Sequence, residues 1–457
     1  MDIFNNISII VSGSHLEMLN TLLIIAQFLF TVFTGIMLGS LILSTRLKSK
    51  SIKEGIDNSD FKERMSQEMM GLITSSPSTW FGFGLVPFLA IIVIYIQLTA
   101  GSGTSAAAVL IVGFMFYAFG LLLAYFYKNS NRFIQFYNFV KSNKSGENLP
   151  ENDYRLSSAD DYFQQMESQK SNTGLWAVIM MLAGSWAFVT GTHLASDSSQ
   201  WTQTAIHSLF SLPVFYKMLN LIALSVTIAA ATFTYLKFHW EGGFDFKDES
   251  YKSWARNKSA KITVTFMAAQ IIFYGLSLAV LPNSAISYFV YSTAAIALVL
   301  AFVATNLFYT IIKTKNSSYV RVAYPLVIAM FLFMVISSHK SFEASNSGNV
   351  AKIANEYELK MASMHSGAEE TEELDGEEIY NNRCAACHKF DIKQVTAPSY
   401  KDVLGKYNND TQALIDFILN PTPQDTENYP SGMANPALKG PEARAVAKYL
   451  QEEIKKH

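Results

Sequence analysis

The chain has 457 residues, 50% of them hydrophobic and 16% charged. An ordinary soluble domain carries about 25% charged residues, so the composition excludes a disordered protein and argues against a wholly soluble one. The net charge of -2 offers no global field for nucleic acid, and the two cysteines, Cys384 and Cys387, share one short motif, which excludes a disulfide framework.

Apolar stretches long enough to cross a bilayer, about 20 residues each, recur eight times along the chain. They run over Leu19–Leu43, Trp80–Thr99, Ala106–Tyr127, Thr173–Thr192, Val214–Lys237, Ile262–Leu281, Ile286–Ile312 and Tyr324–Ser338. The first does not read as a cleavable signal, because nothing basic precedes it and Arg46, Lys48, Lys50 and Lys53 follow it. The loops 44–79, 128–172, 237–261 and 313–323 hold the majority of the chain's 35 Lys and Arg residues, and the loops around Gly101, Gln200 and Pro282 hold none. The positive-inside rule then places the basic loops in the cytoplasm and both termini outside. The expectation is an all-α chain: an eight-helix transmembrane bundle over residues 1–339, a linker over 340–375 and a small all-α domain over 376–457. The linker contains Ser-Asn-Ser-Gly and the acidic run 369–373, and it reads as a mobile tether with a short helix near Val350–Met364. No internal repeat is visible, and neither is the inverted symmetry of transporter folds.

The chemistry-bearing motif is Cys384-Ala-Ala-Cys387-His388. CxxCH is the attachment signature of a c-type haem: two thiols form thioethers to the vinyl groups, and the adjacent histidine reaches the iron. A chance match, a dithiol redox pair or half a zinc site are the competing readings. No second cysteine pair exists for zinc, and the topology puts the motif outside, where c-haem is attached.

From here the tail resembles a class I cytochrome c. Gly376-Glu-Glu-Ile-Tyr380 looks like that family's first helix, and Glu442-Ala-Arg-Ala-Val-Ala-Lys-Tyr449-Leu looks like its C-terminal helix. The resemblance implies a distal methionine from the loop before the last helix. Met433, in Tyr429-Pro-Ser-Gly-Met433-Ala-Asn-Pro436, matches that position and has no methionine competitor after the motif. It also implies a proline whose carbonyl orients the proximal imidazole. Pro398 fits, with Ala397 where glycine is usual. The metal ligands are then His388 and Met433. Such a pair raises the reduction potential relative to two nitrogens and leaves no open position on the iron, so the tail reads as an electron carrier with no catalytic residue.

Five histidines lie in the apolar region: His15, His193, His207 and His339 at outer span ends, and His239 at an inner end. Two readings stand side by side. In one, two outer histidines bracket a b-type haem, with His15 and His207 as the first pair and His193 as the substitute. In the other, all are interfacial side chains wetted at the headgroup level. Glu17 and Lys217 likewise read either as part of a quinol pocket, with Glu17 or a histidine accepting the proton, or as an interfacial salt bridge. Gly35 and Gly39 form a GxxxG spacing suited to close helix contact, read here as packing against a partner.

In layout the membrane part is similar to membrane cytochrome subunits of quinol-oxidising complexes, including the bd-type oxidase subunit I, and to membrane-bound urate hydroxylases. The functional expectation is an electron-transfer subunit of the bacterial inner membrane, with its cytochrome domain in the periplasm. It would work between the quinone pool or another membrane respiratory subunit and a periplasmic cytochrome. The alternatives are a non-redox scaffold that carries the cytochrome as a tethered arm, and a redox-linked transporter. With every cofactor at the outer face, no proton pumping is expected.

Overall fold

A computed structural model of the chain describes residues 11–53, 59–72, 76–143, 154–201, 205–244, 246, 248–365, 374–389, 398–399, 407, 410–421 and 435–453. All regular secondary structure among the described residues is helical. The contacts divide the chain into two compact units, one over Ser14–Val350 and the other over Ala351–His457.

The first unit is built from long helices. They are α1 (Gly13–Lys53), α2 (Ser59–Leu72), α3 (Pro77–Trp80), α4 (Val86–Leu98), α5 (Ala106–Asn143), α6 (Tyr154–Ala195), α7 (Ala205–Leu209), α8 (Leu212–Phe238), α9 (Glu249–Ala279), α10 (Tyr288–Thr314) and α11 (Val320–His365). Among the described residues eight segments are long and apolar enough to cross a membrane, and each coincides with one of the eight expected spans. The helices overrun the apolar cores. The second span joins α3 to α4 through one π-helical stretch, Phe81–Leu85, just before Pro87. Gly82 and Gly84 tolerate that widened turn, and it absorbs the amide that proline lacks. Polar caps start the later helices: the Asp248 carboxylate accepts from the Ser250 and Tyr251 amides, and the Ser287 side chain from Val290.

Small residues set the packing. On α10, Ala294, Ala297, Ala301 and Ala304 recur at helical spacing and are buried. They lie in one core with Leu224 and Ile228 of α8, Met267 of α9, and Met330 and Phe331 of α11. Between helices that gain no hydrophobic advantage over lipid, close approach and interhelical hydrogen bonds hold the bundle. Gln27 donates to the Tyr95 hydroxyl at 2.9 Å, and Thr34 shares a 2.8 Å bond with Tyr117. Gly39 lies against α8, where a Cβ would come within 2.8 Å of Ala229 Cβ and closer still to the Ser225 backbone. The Gly35–Gly39 face is therefore used inside this chain, between α1 and α8, and not against a partner as the sequence suggested.

The two ends of the bundle differ as the charge pattern implies. At one end the basic loops meet. Arg64 and Glu68 of α2 form an ion pair at 3.3 Å, Lys237 approaches Glu68 at 3.8 Å, and the Arg64 guanidinium stacks 4.0 Å over the Tyr251 ring. At the other end the loops without Lys or Arg meet. The Ser198 amide donates to Ser345 Oγ at 3.2 Å, and Ser345 reaches Ser284 at 3.2 Å.

The stretch 340–365 differs from the expected tether, because α11 is continuous to His365. Two asparagines explain the polar part. Asn346 and Asn349 donate to the Leu98 carbonyl at 2.8 and 3.0 Å, capping the C-terminus of α4. Beyond them Ala351-Lys-Ile-Ala-Asn-Glu-Tyr-Glu-Leu-Lys-Met is a run of strong helix formers.

The second unit holds α12 (Gly376–Arg383), α13 (Thr411–Leu419) and α14 (Gly440–Glu453). Asp375 and Asp410 cap α12 and α13. Tyr380, Leu414, Ile415, Ile418, Val446, Ala447 and Leu450 form its core. The Thr411 hydroxyl donates to Gln451 at 2.7 Å, tying α13 to α14.

Candidate functional site

The CxxCH motif begins where α12 ends. Cys384 is the C-cap, and its amide still donates to the Tyr380 carbonyl at 2.8 Å. The chain then closes two further turns, Cys387 N to Cys384 O at 3.1 Å and His388 N to Cys384 O at 2.9 Å. One compact loop therefore presents both thiols and the imidazole. Neither cysteine is in a disulfide; Cys384 is buried and Cys387 exposed. Burial of Cys384 places it in the same core as α13 and α14.

His388 is fixed from two sides. Its Nδ1 donates to the Pro398 carbonyl at 3.2 Å, and its own carbonyl accepts from the Tyr380 hydroxyl at 3.0 Å. With Nδ1 protonated and engaged, Nε2 carries the ring's lone pair, the one that binds a metal. Burial holds the imidazole below its usual pKa, only partly offset by the Pro398 carbonyl, so the neutral, ligating form is favoured. The Tyr380 phenol is pushed up by burial and remains a donor. Tyr380 was read from sequence only as part of the first helix; its spacing of eight residues before His388 is the signal that could have marked its role. Pro398 supplies the carbonyl that His388 Nδ1 meets. Met433 lies outside the described residues.

The donor set suits a covalent haem on its chemistry: two thiols outside any disulfide, and a histidine whose Nδ1 is held so that Nε2 faces outward as the ligand. Among the described residues no group of three or more His, Cys, Asp and Glu side chains could hold a metal ion by themselves.

In the membrane unit the flagged side chains meet different neighbours. His15 Nε2 donates to Gln97 Oε1 at 3.1 Å. His207 is exposed on the five-residue α7. His193 is 1% exposed, and Lys217 Nζ lies 3.5 Å from its Nδ1. Glu17 is exposed near the start of α1, and no ion pair joins it to Lys217 among the described residues.

Comparison with known proteins bears on the C-terminal region. The family model for cytochrome c matches residues 374–452. The cytochrome c-551 of Bacillus subtilis (strain 168) is 33% identical over 78 residues, which cover 17% of this chain and 61% of that protein. The chain thus spans about three fifths of the length of the relative it matches. No solved structure matches it. A cytochrome c domain implies haem c and electron transfer, and the cysteine pair within it is the only one in the chain. Residues 374–452 are a cytochrome c domain, fused to a helical region with eight candidate membrane spans.

Proposed function

We propose that the protein is a membrane-anchored c-type cytochrome of a bacterial inner membrane, transferring electrons at the periplasmic face within a respiratory chain. Cys384 and Cys387 hold haem c through two thioethers, His388 is the proximal ligand and Met433 the distal one. A bound haem c supplies reversible one-electron storage. The residues around it do the positioning. Pro398 O fixes the imidazole ring, Tyr380 ties the histidine backbone to α12, and the core of α12, α13 and α14 shields one side of the loop. The observation that carries the reading is the Nδ1 bond of His388 to Pro398 O, which a bare dithiol redox pair would not need. The contrast between the basic loops and the loops without Lys or Arg supports the periplasmic placement.

The donor is the quinone pool or a membrane partner subunit, and the acceptor is a periplasmic cytochrome. A pyridine haemochrome spectrum of the purified full-length protein tests this. One covalent c-haem per chain is expected, and none would sink the reading. The same spectrum assigns the membrane unit: c without b leaves it an anchor or scaffold, whereas one b beside the c makes it redox-active and turns attention to His15, His193 and His207. The tethered-arm alternative depended on a long mobile linker, and the helix through His365 removes most of that length.

A further inference from the structure

The first unit contains a cavity of about 150 Å³. Its wall is mostly apolar, with Phe188, Leu224 and Phe331 among the lining residues. The polar groups set into it come from five helices and include Gln27 of α1, Lys217 and Asn220 of α8, Tyr274 of α9 and Ser341 of α11. A cavity of about 150 Å³ is the size that admits a benzene-sized molecule.

Three of these groups have capacity left for a ligand. Lys217 Nζ contacts His193 Nδ1 at a long 3.5 Å, and among the described residues no carboxylate stands within ion-pair distance of it. The charge of Asp197, which is itself buried and is not part of the cavity wall, also acts on it. Asn220 Oδ1 and Ser341 Oγ are enclosed in the protein with no hydrogen-bond partner from it, and Ser341 is 4% exposed. Polar groups shut away from water are normally hydrogen-bonded, and a cation in a low-dielectric wall attracts an anion far more strongly than one in water. Within a membrane span such a lysine marks a functional site more often than a structural one. An ammonium with donor capacity, an amide and a hydroxyl, arranged around a ring-sized apolar space, match a small organic anion whose charge is on one edge and whose body is apolar.

We propose that this cavity binds a small organic anion of single-ring size, its carboxylate or equivalent oxygens on Lys217 and its apolar body against Leu224 and Phe331. The site is separate from the cytochrome chemistry and does not depend on it.

Benzoate is the probe, with benzamide as its neutral counterpart of the same shape. Binding to the full-length haem-loaded protein in detergent is followed by calorimetry and by thermal melting. Benzoate should bind about tenfold or more tightly than benzamide, as the loss of a charge-assisted hydrogen bond implies. In Lys217→Met, with the c-haem spectrum unchanged, the benzoate affinity should fall by a similar factor. The comparison of the two probes needs no variant, so it stands even where Lys217→Met fails to fold. Equal binding of benzoate and benzamide, no benzoate binding, or full benzoate affinity in Lys217→Met overturns the proposal. So does a short-chain quinone that displaces benzoate and binds Lys217→Met with undiminished affinity, which would make the cavity a quinone site.

Discussion

At the scale of single residues, the proposed haem site gives Cys384, Cys387, His388 and Met433 separable roles. Removing the thiols by Cys384→Ala with Cys387→Ala should abolish covalent haem while the spans still insert. Haem-stained protein surviving on a denaturing gel would contradict that attachment. Met433→Ala tests the distal ligand. Loss of a thioether opens the sixth position and removes a donor that favours Fe(II), so the potential should fall by on the order of a tenth of the ~0.8 V range that axial ligands span. A potentiometric titration checks it, and an unchanged spectrum would show that another group ligates. Tyr380→Phe is a gentler test. It leaves the ring in the core and deletes only the 3.0 Å bond to the His388 carbonyl. The expected cost is about 1 kcal/mol of domain stability, read from a denaturant melt at the haem band, with the ligand set intact.

At the scale of elements, glycines decide where helices touch. Gly376, the first residue of α12, faces α14. A Cβ there would come within 2.9 Å of Tyr449 Cβ and 2.8 Å of the Ala445 carbonyl carbon. Backbone cannot move aside as a flexible side chain can, so Gly376→Ala should destabilise the cytochrome domain by about 1–3 kcal/mol. An unchanged melting curve of the haem band would mean that the two helices are looser than the structure shows. Gly39 does the same work between α1 and α8 in the other unit. The GxxxG spacing was legible in the sequence, but its partner was not. Spacing identifies a smooth helix face and says nothing about which helix meets it. The polar stretch around Asn346 shows a related limit. Ser-Asn-Ser-Gly reads as a linker by local preference. Its helical state depends on the carbonyl of Leu98, almost 250 residues earlier, which accepts from Asn346 and Asn349.

At the scale of the whole molecule, the charge pattern and the contact pattern agree on two ends. Arg64, Glu68, Lys237 and Tyr251 meet at one, and Ser198, Ser284 and Ser345 at the other. On the proposed periplasmic placement of the cytochrome chemistry, electron transfer moves no charge across the bilayer. The ~2.3 kcal/mol per charge per 100 mV available to an electrogenic step is then not captured. Sealed vesicles respiring through this protein should release no protons beyond those of quinol oxidation. Release at a pump stoichiometry would defeat the outer-face arrangement.

The sequence by itself determined the all-helical class, the eight candidate spans, the basic loops and the loops without Lys or Arg, and a C-terminal cytochrome c domain around the CxxCH motif. Each of these is written in local terms: stretch length, loop charge, and residues within fifteen positions of one another. Only the tertiary structure decided that Tyr380 holds the His388 backbone, that Gly39 packs on α8, that α11 continues past the membrane stretch, and that Lys217 lines a cavity beside His193. Those depend on contacts between helices distant in sequence, where packing geometry and the need to satisfy buried polar groups, rather than local preference, select the arrangement.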